Sequence, residues 1–130
     1  MSSSGPTFHH VAVIVSDLDK AAHLYGNILG LELDERPHLN FGGLFYKLGN
    51  GQQLHLMRLE NPDAESLIPE HGGRYRHFAL RFADLNPIKT KLTEMGVHFT
   101  ASKSGRKAIF LYDDDGNAIE LVQQSITQAD

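Results

Sequence analysis

His10-Val11-Ala12-Val13-Ile14-Val15-Ser16-Asp17-Leu18 is matched, 67 residues further on, by His77-Phe78-Ala79-Leu80-Arg81-Phe82-Ala83-Asp84-Leu85. Both stretches read as a histidine, an alternating run, and then Asp-Leu. Each is followed by a helix-spaced pattern that stops at a glycine, Gly30 or Gly96, at an offset of 66. Each then closes on a turn and a strand-like segment. Gly51-Gln52-Gln53-Leu54-His55-Leu56 corresponds to Gly116-Asn117-Ala118-Ile119-Glu120-Leu121 at an offset of 65. Landmarks in the same order, drifting by one residue, mark a duplicated unit with small loop differences.

Local signals agree with that division. Residues 8–15 are rich in β-branched side chains and predict a strand. Ser16 or Asp17 caps the next helix, and Asp19 is favoured in its first turn by the helix dipole. Leu18, Ala21, Ala22, Tyr25, Ile28 and Leu29 then fall at helical spacing. Short strands are expected over 31–36, 44–48 and 53–59, with Gly49-Asn50-Gly51 as a turn. The second unit predicts a strand over 75–82, a helix from Pro87 to Gly96, and strands over 98–101, 107–112 and 118–122. Asp113 to Asn117 reads as a turn, since it lacks the ligand spacing of a calcium loop. The expected organisation is α+β: βαβββ modules at 8–60 and 74–123, a connector at 61–73, and tails at 1–7 and 124–130.

Composition narrows the function. A chain of 130 residues, 41% hydrophobic, is long enough for a core without disulfides, and it has no cysteine. That excludes a cysteine nucleophile and a thiolate metal site. The net charge of −4 and the scattered Lys and Arg give no basic stripe for nucleic acid. No apolar run approaches the roughly 20 residues of a membrane span. A cytoplasmic protein with a frayed N-terminus is expected.

Strand alternation carries the functional reading, because successive side chains point to opposite faces of a sheet. Val11, Val13 and Val15 share one face, leaving His10, Ala12 and Ile14 on the other. Phe78, Leu80 and Phe82 likewise leave His77, Ala79 and Arg81. In the closing strands Leu54 and Leu56 oppose His55 and Met57, and Ile119 and Leu121 oppose Glu120 and Val122. The bulky faces are expected under the helices. The other face then carries a metal-competent residue at the equivalent place on four strands: His10, His55, His77 and Glu120. Imidazoles with a carboxylate form a good shell for a divalent ion such as zinc, iron, nickel or manganese. Glu120 and His55 are the candidate catalytic groups. Arg81, Met57 and Arg76 are candidates to hold substrate, while Lys103, Arg106 and Lys107 read as a solvated loop tip. His9, His23, His38, His71 and His98 are expected on surfaces, in loops or on the core side.

His10 with Asp17-Leu18 and Tyr25-Gly26-Asn27-Ile28-Leu29-Gly30-Leu31, His77 with Ala79-Leu80, and Asp115-Gly116-Asn117-Ala118-Ile119-Glu120 resemble the vicinal oxygen chelate superfamily. This group includes glyoxalase I, extradiol dioxygenases, fosfomycin-resistance proteins and bleomycin-binding proteins. The likeness spans residues 8–123. It implies two βαβββ modules forming a cupped mixed sheet around a central cavity, with a divalent metal inside. The substrate would be a small molecule that chelates the metal through adjacent oxygens. His10, His77 and Glu120 match the family's metal positions, and His55 stands at the fourth, where glyoxalase I usually has glutamate. The resemblance implies lyase or isomerase chemistry in a homodimer. An extradiol-type dioxygenase and a ligand-sequestering protein of the bleomycin-resistance type are the alternatives. Ile14 stands where bacterial glyoxalase I tends to carry a glutathione-binding arginine, and Ala12 where fosfomycin-resistance enzymes usually have threonine.

Overall fold

A computed structural model of the chain describes residues 5–124; residues 1–4 and 125–130 of the expected tails lie outside the described residues. The first module holds strand β1 (His10–Val15), helix α1 (Leu18–Ala21), and strands β2 (Gly43–Lys47) and β3 (Gln53–Arg58). The second holds β4 (His77–Phe82), helix α2 (Asn86–Glu94), β5 (Phe99–Ala101), β6 (Ala108–Tyr112) and β7 (Ala118–Gln123). The class is α+β, as expected. The strands form two mixed sheets, ordered β1-β3-β2 and β4-β7-β6-β5, with β1 parallel to β3 and β4 parallel to β7.

Two elements differ from expectation. Segment 31–36 contributes only a bridge between Leu33 and Tyr46 at the outer edge of β2. Hydrogen bonds from Asp34 N to the Phe45 carbonyl and from Lys47 N to the Glu32 carbonyl, both 2.8 Å, secure it. Pro37 ends the run by removing a donor. The first helix starts on Asp17, whose side chain accepts from the amides of Asp19 and Lys20. It then widens into a π-helical stretch, Ala22–Ile28. Gly26 weakens α preference there and lies against Tyr46, where a Cβ would come within 3.2 Å of the hydroxyl. The widened turns bury Leu24, Tyr25, Ile28 and Leu29 together. Gly30 (φ +78°) and Gly96 (φ +72°) end the two helices in the left-handed region.

The helices cover one face of each sheet, and both modules share a core. Val15, Leu54 and Leu56 of the first pack in one cluster with Leu85, Leu92, Ile119 and Leu121 of the second. This leaves the histidine-bearing faces uncovered by helix, as alternation requires.

A polar latch also joins the modules. Tyr25, fully buried, donates its hydroxyl to Asp113 Oδ2 at 2.7 Å, and the Asp113–Asn117 turn carries that bond to β1. Asn117 Nδ2 lies 2.9 Å from both Asp113 Oδ2 and the Ile14 carbonyl, and its amide donates to Asp113 Oδ1. The Ser16 amide donates to Asp115 Oδ2 at 3.0 Å. Burial raises the Asp113 carboxyl above its usual range against the opposing pull of these bonds. Burial, and then the Asp113 charge, pushes the Tyr25 hydroxyl well above its ordinary value of 10.0. The folded chain therefore keeps the Tyr25 proton where the unfolded chain loses it, so stability falls as pH rises above 10.0. Tyr25→Phe should cost about 1.5–3 kcal/mol at neutral pH, the usual worth of a hydrogen bond to a charged group. The same variant should flatten the alkaline loss of stability; urea denaturation of both proteins across the alkaline range checks this.

Candidate metal centre

On the helix-free face of the first sheet, strand register sets Ala12 opposite His55 and Phe45 opposite His55. His55 stacks on His10 with ring centroids 4.2 Å apart, and its other side is covered by Phe45 at 3.5 Å. A hydrogen-bond chain orients the ring. Gln53 Nε2 donates to Asp34 Oδ2 at 2.9 Å, which turns Gln53 Oε1 toward His55 Nε2 at 2.8 Å. Nε2 must therefore carry the proton, and Nδ1 is left with the lone pair. Burial lowers the His55 pKa, and electrostatic repulsion from His10, His9 and Arg36 adds to the effect. A neutral imidazole is the form that binds metal. His9 Nδ1 contacts His10 Nδ1 at 2.9 Å.

On the second sheet, Ala79 pairs with Glu120 and Phe110 with Glu120, so His77, Ala79, Phe110 and Glu120 share a face. Glu120 is 4% exposed. The His77 Nδ1–H donates to the Tyr75 carbonyl at 2.7 Å, so the lone pair sits on Nε2. Nε2 in turn faces Glu120 Oε1 at 3.2 Å. Two acceptors at that distance repel unless a proton or a cation lies between them. Two donors at the usual ~2.0–2.2 Å from one ion lie about 3 Å apart, so the pair fits a shared divalent metal.

The single chain does not bring all four positions to one point. Among the described residues, no three His, Asp or Glu side chains gather where an ion could sit. His10 and His55 form one pair and His77 and Glu120 another. The cause is topological: β1 and β4 are edge strands of separate sheets, with no ladder between them. His10 and His77 do both line one cleft of about 890 Å³.

The other candidates divide. Met57 lies on the His55 face, opposite Ile14 and Gly43. Arg81 is exposed and lines the cleft. Arg76 turns away to pair with Asp63 at 3.1 Å and stacks over Tyr75. Two further residues belong here, one read as a solvated loop tip and the other as a surface, loop or core-side histidine. Arg106, from the loop between β5 and β6, donates to Glu120 Oε2 at 3.1 Å. His71, from the connector, bonds Thr100 Oγ1 at 2.6 Å and packs edge-on to Phe110. Loop residues carry no periodicity, so only Thr100 and Phe110 sharing Glu120's strand parity could have hinted at them.

Residues 7–121 match the model of the Glyoxalase/Bleomycin resistance protein/Dioxygenase superfamily, and the chain belongs to that family. It is similar to the human mitochondrial methylmalonyl-CoA epimerase, 31% identical over 127 residues, covering 88% of this chain and 72% of that one. A glyoxalase family protein from Bacillus anthracis superposes with a TM-score of 0.72 at 21% identity, over 96% of this chain and all of the other (100%). The fosfomycin resistance protein FosX from Listeria monocytogenes, in a mutant form complexed with Mn(II) and 1S,2S-dihydroxypropylphosphonic acid, superposes at 0.67 and 21% identity, covering 98% of this chain and 97% of that one.

The stacked environment of His55 gives a direct expectation. Its imidazole should titrate below the ordinary value of 6.5 in an NMR pH series, and His10→Ala should move it part of the way back.

Proposed function

We propose that this protein is a divalent-metal enzyme of glyoxalase type, in which His10, His55, His77 and Glu120 hold the ion. Its substrate is a small molecule that reaches the metal through adjacent oxygens, and its reaction is a lyase- or isomerase-type proton movement. The observation that carries the reading is the His77–Glu120 pair, whose Nε2 and Oε1 lie 3.2 Å apart with Nδ1 already committed to Tyr75. Membership of the family, a relative named as an epimerase and a fold neighbour complexed with Mn(II) support it. When bound, the ion would polarise the substrate's adjacent oxygens and stabilise the charge left by a departing proton.

This chain's residues supply the rest. Glu120, the buried carboxylate on this face, is the base that takes a proton from carbon. His55, kept neutral by its surroundings, is the second group able to carry a proton. Arg106 bonds Glu120 Oε2 and so fixes the orientation of the carboxylate. Equilibrium metal titration tests the reading. Wild-type protein should bind Mn(II), Ni(II) or Zn(II), and His77→Ala and Glu120→Gln should each weaken binding by at least about 10-fold with the fold intact. A wild-type protein that takes up none of these ions would overturn it. Turnover of a methylglyoxal–glutathione adduct, set against a catechol, then separates isomerase from dioxygenase chemistry.

A second copy of the chain completes the site. The Asp113 latch and the shared core hold the two sheets in place, while β1 and β4 keep open edges that strands normally pair or cover. Phe8, 77% exposed, stands just before β1. Mixing the double variant His10→Ala/His55→Ala with His77→Ala/Glu120→Ala checks this. Statistical pairing into twofold dimers should restore about a quarter of the wild-type metal content, whereas a site closed within one chain regains none.

A further inference from the structure

Arg36 has no role in the scheme above, yet it is built into the same face as His55. Its guanidinium lies over Gly43, the residue paired with Met57, where a Cβ would meet Nε and Nη2 at 3.0 Å. The missing side chain at Gly43 therefore leaves the room that the planar group occupies, while Gly42 does the same for Arg58. The rings of Phe41 and Phe45 flank it, 5.3 and 5.8 Å from its carbon, and Phe45 is the ring that also covers His55. Nη2 donates to the Phe41 carbonyl at 2.7 Å, which fixes the orientation. No carboxylate answers the charge: among the described residues Arg36 forms no salt bridge, and its Nε is buried without any partner. An oriented cation held between aromatic rings, with donors unspent, is an arrangement that ordinary surface arginines lack.

We propose that Arg36 is a specificity-determining residue that receives an anionic oxygen group of the substrate, a carboxylate or a phosphonate, while the substrate's adjacent oxygens face the metal positions. This rests on the metal reading above. The group bound is planar or tetrahedral and carries at least two oxygens, since a guanidinium presents a fork of parallel donors.

Three hydroxamates test it, because they chelate through the same adjacent oxygens and differ only in what is appended. Acetohydroxamate carries a methyl group, malonohydroxamate a carboxylate and phosphonoacetohydroxamate a phosphonate. Calorimetry on the Mn(II)-loaded protein should show at least one anionic member binding about tenfold or more tighter than acetohydroxamate, the scale of a charge-assisted bond. The preferred arm identifies the anion. Arg36→Gln should erase that advantage and leave Mn(II) and acetohydroxamate binding unchanged. Arg36→Lys, which keeps the charge but not the fork, should retain part of it and serves if the glutamine variant does not fold. Equal affinity for all three ligands, an advantage that survives Arg36→Gln, or an equal loss for all three would overturn the assignment. If wild-type protein takes up none of Mn(II), Ni(II) and Zn(II), the metal reading fails by itself. Arg36 is then decided on the metal-free chain by the ¹⁵N resonance of its Nε–H during titration with malonate and with methylphosphonate. A saturable shift with either supports the subsite, and an unmoved resonance removes it.

Discussion

The arrangement of the two modules rests on one buried carboxylate. Asp113 sits at the end of β6 in the second module, yet its strongest partner, the Tyr25 hydroxyl, belongs to the first module's helix. A buried charge is tolerated only with full hydrogen bonding. The tight turn supplies the remaining donors through Asn117 and Asp115. Asn117 then spends its second contact on the β1 backbone. Relieving the cost of burying Asp113 thus requires β1, the first helix and the β6–β7 turn to be in register at once. The apolar cluster shared by both modules adds energy, but apolar contacts are non-directional. The directional bonds decide how the two sheets stand to each other, and hence how His10 and His77 come to line one cleft.

Each donor pair is held in a different way. On the second sheet the geometry is made by backbone: parallel register brings His77 beside the β7 strand, and the Tyr75 carbonyl sets the tautomer. On the first it is made by side chains, through stacking of Phe45, His55 and His10 and the Asp34–Gln53–His55 chain. The stacked pair depends on an extended segment, 31–36, that is tied to the sheet by a bridge and two backbone bonds.

Much of this is legible in the sequence, and for a definite reason. The period-2 pattern of β1, β3, β4 and β7 assigns each side chain to a face whatever the details of packing, so parity alone places His10, His55, His77 and Glu120 on the helix-free face. Glycine at the helix ends is equally legible, because Gly30 and Gly96 occupy backbone conformations that other residues resist. What parity cannot supply is the distance between sheets. Gathering all four donors in one chain requires β1 and β4 to lie side by side, and their placement depends on the Asp113 latch, which reads in sequence as an ordinary turn. Arg106 and His71 escape such a reading because loops have no period, and Arg76 is overrated by it because Asp63, its partner, lies in the connector. The π-helical widening has no sequence rule beyond Gly26.

Parallel pairing of the first and last strand in each module has a geometric cost that explains the connector. Because β3 runs alongside β1 in the same direction, the chain leaves the first module at the end of the sheet opposite to where it entered. The next module belongs to a separate sheet, so the chain must cross from that end of the first sheet to the start of β4 with no strand beside it to follow. Residues 61–73 make most of that crossing, between the end of β3 at Arg58 and the start of β4 at His77. The path here passes over the open face of the second sheet, where Tyr112 Oη anchors the Pro69 carbonyl at 2.5 Å and His71 is set down beside Phe110. The segment that spaces the repeats thereby also covers part of the Glu120 face, and its length and its side chains answer to different demands.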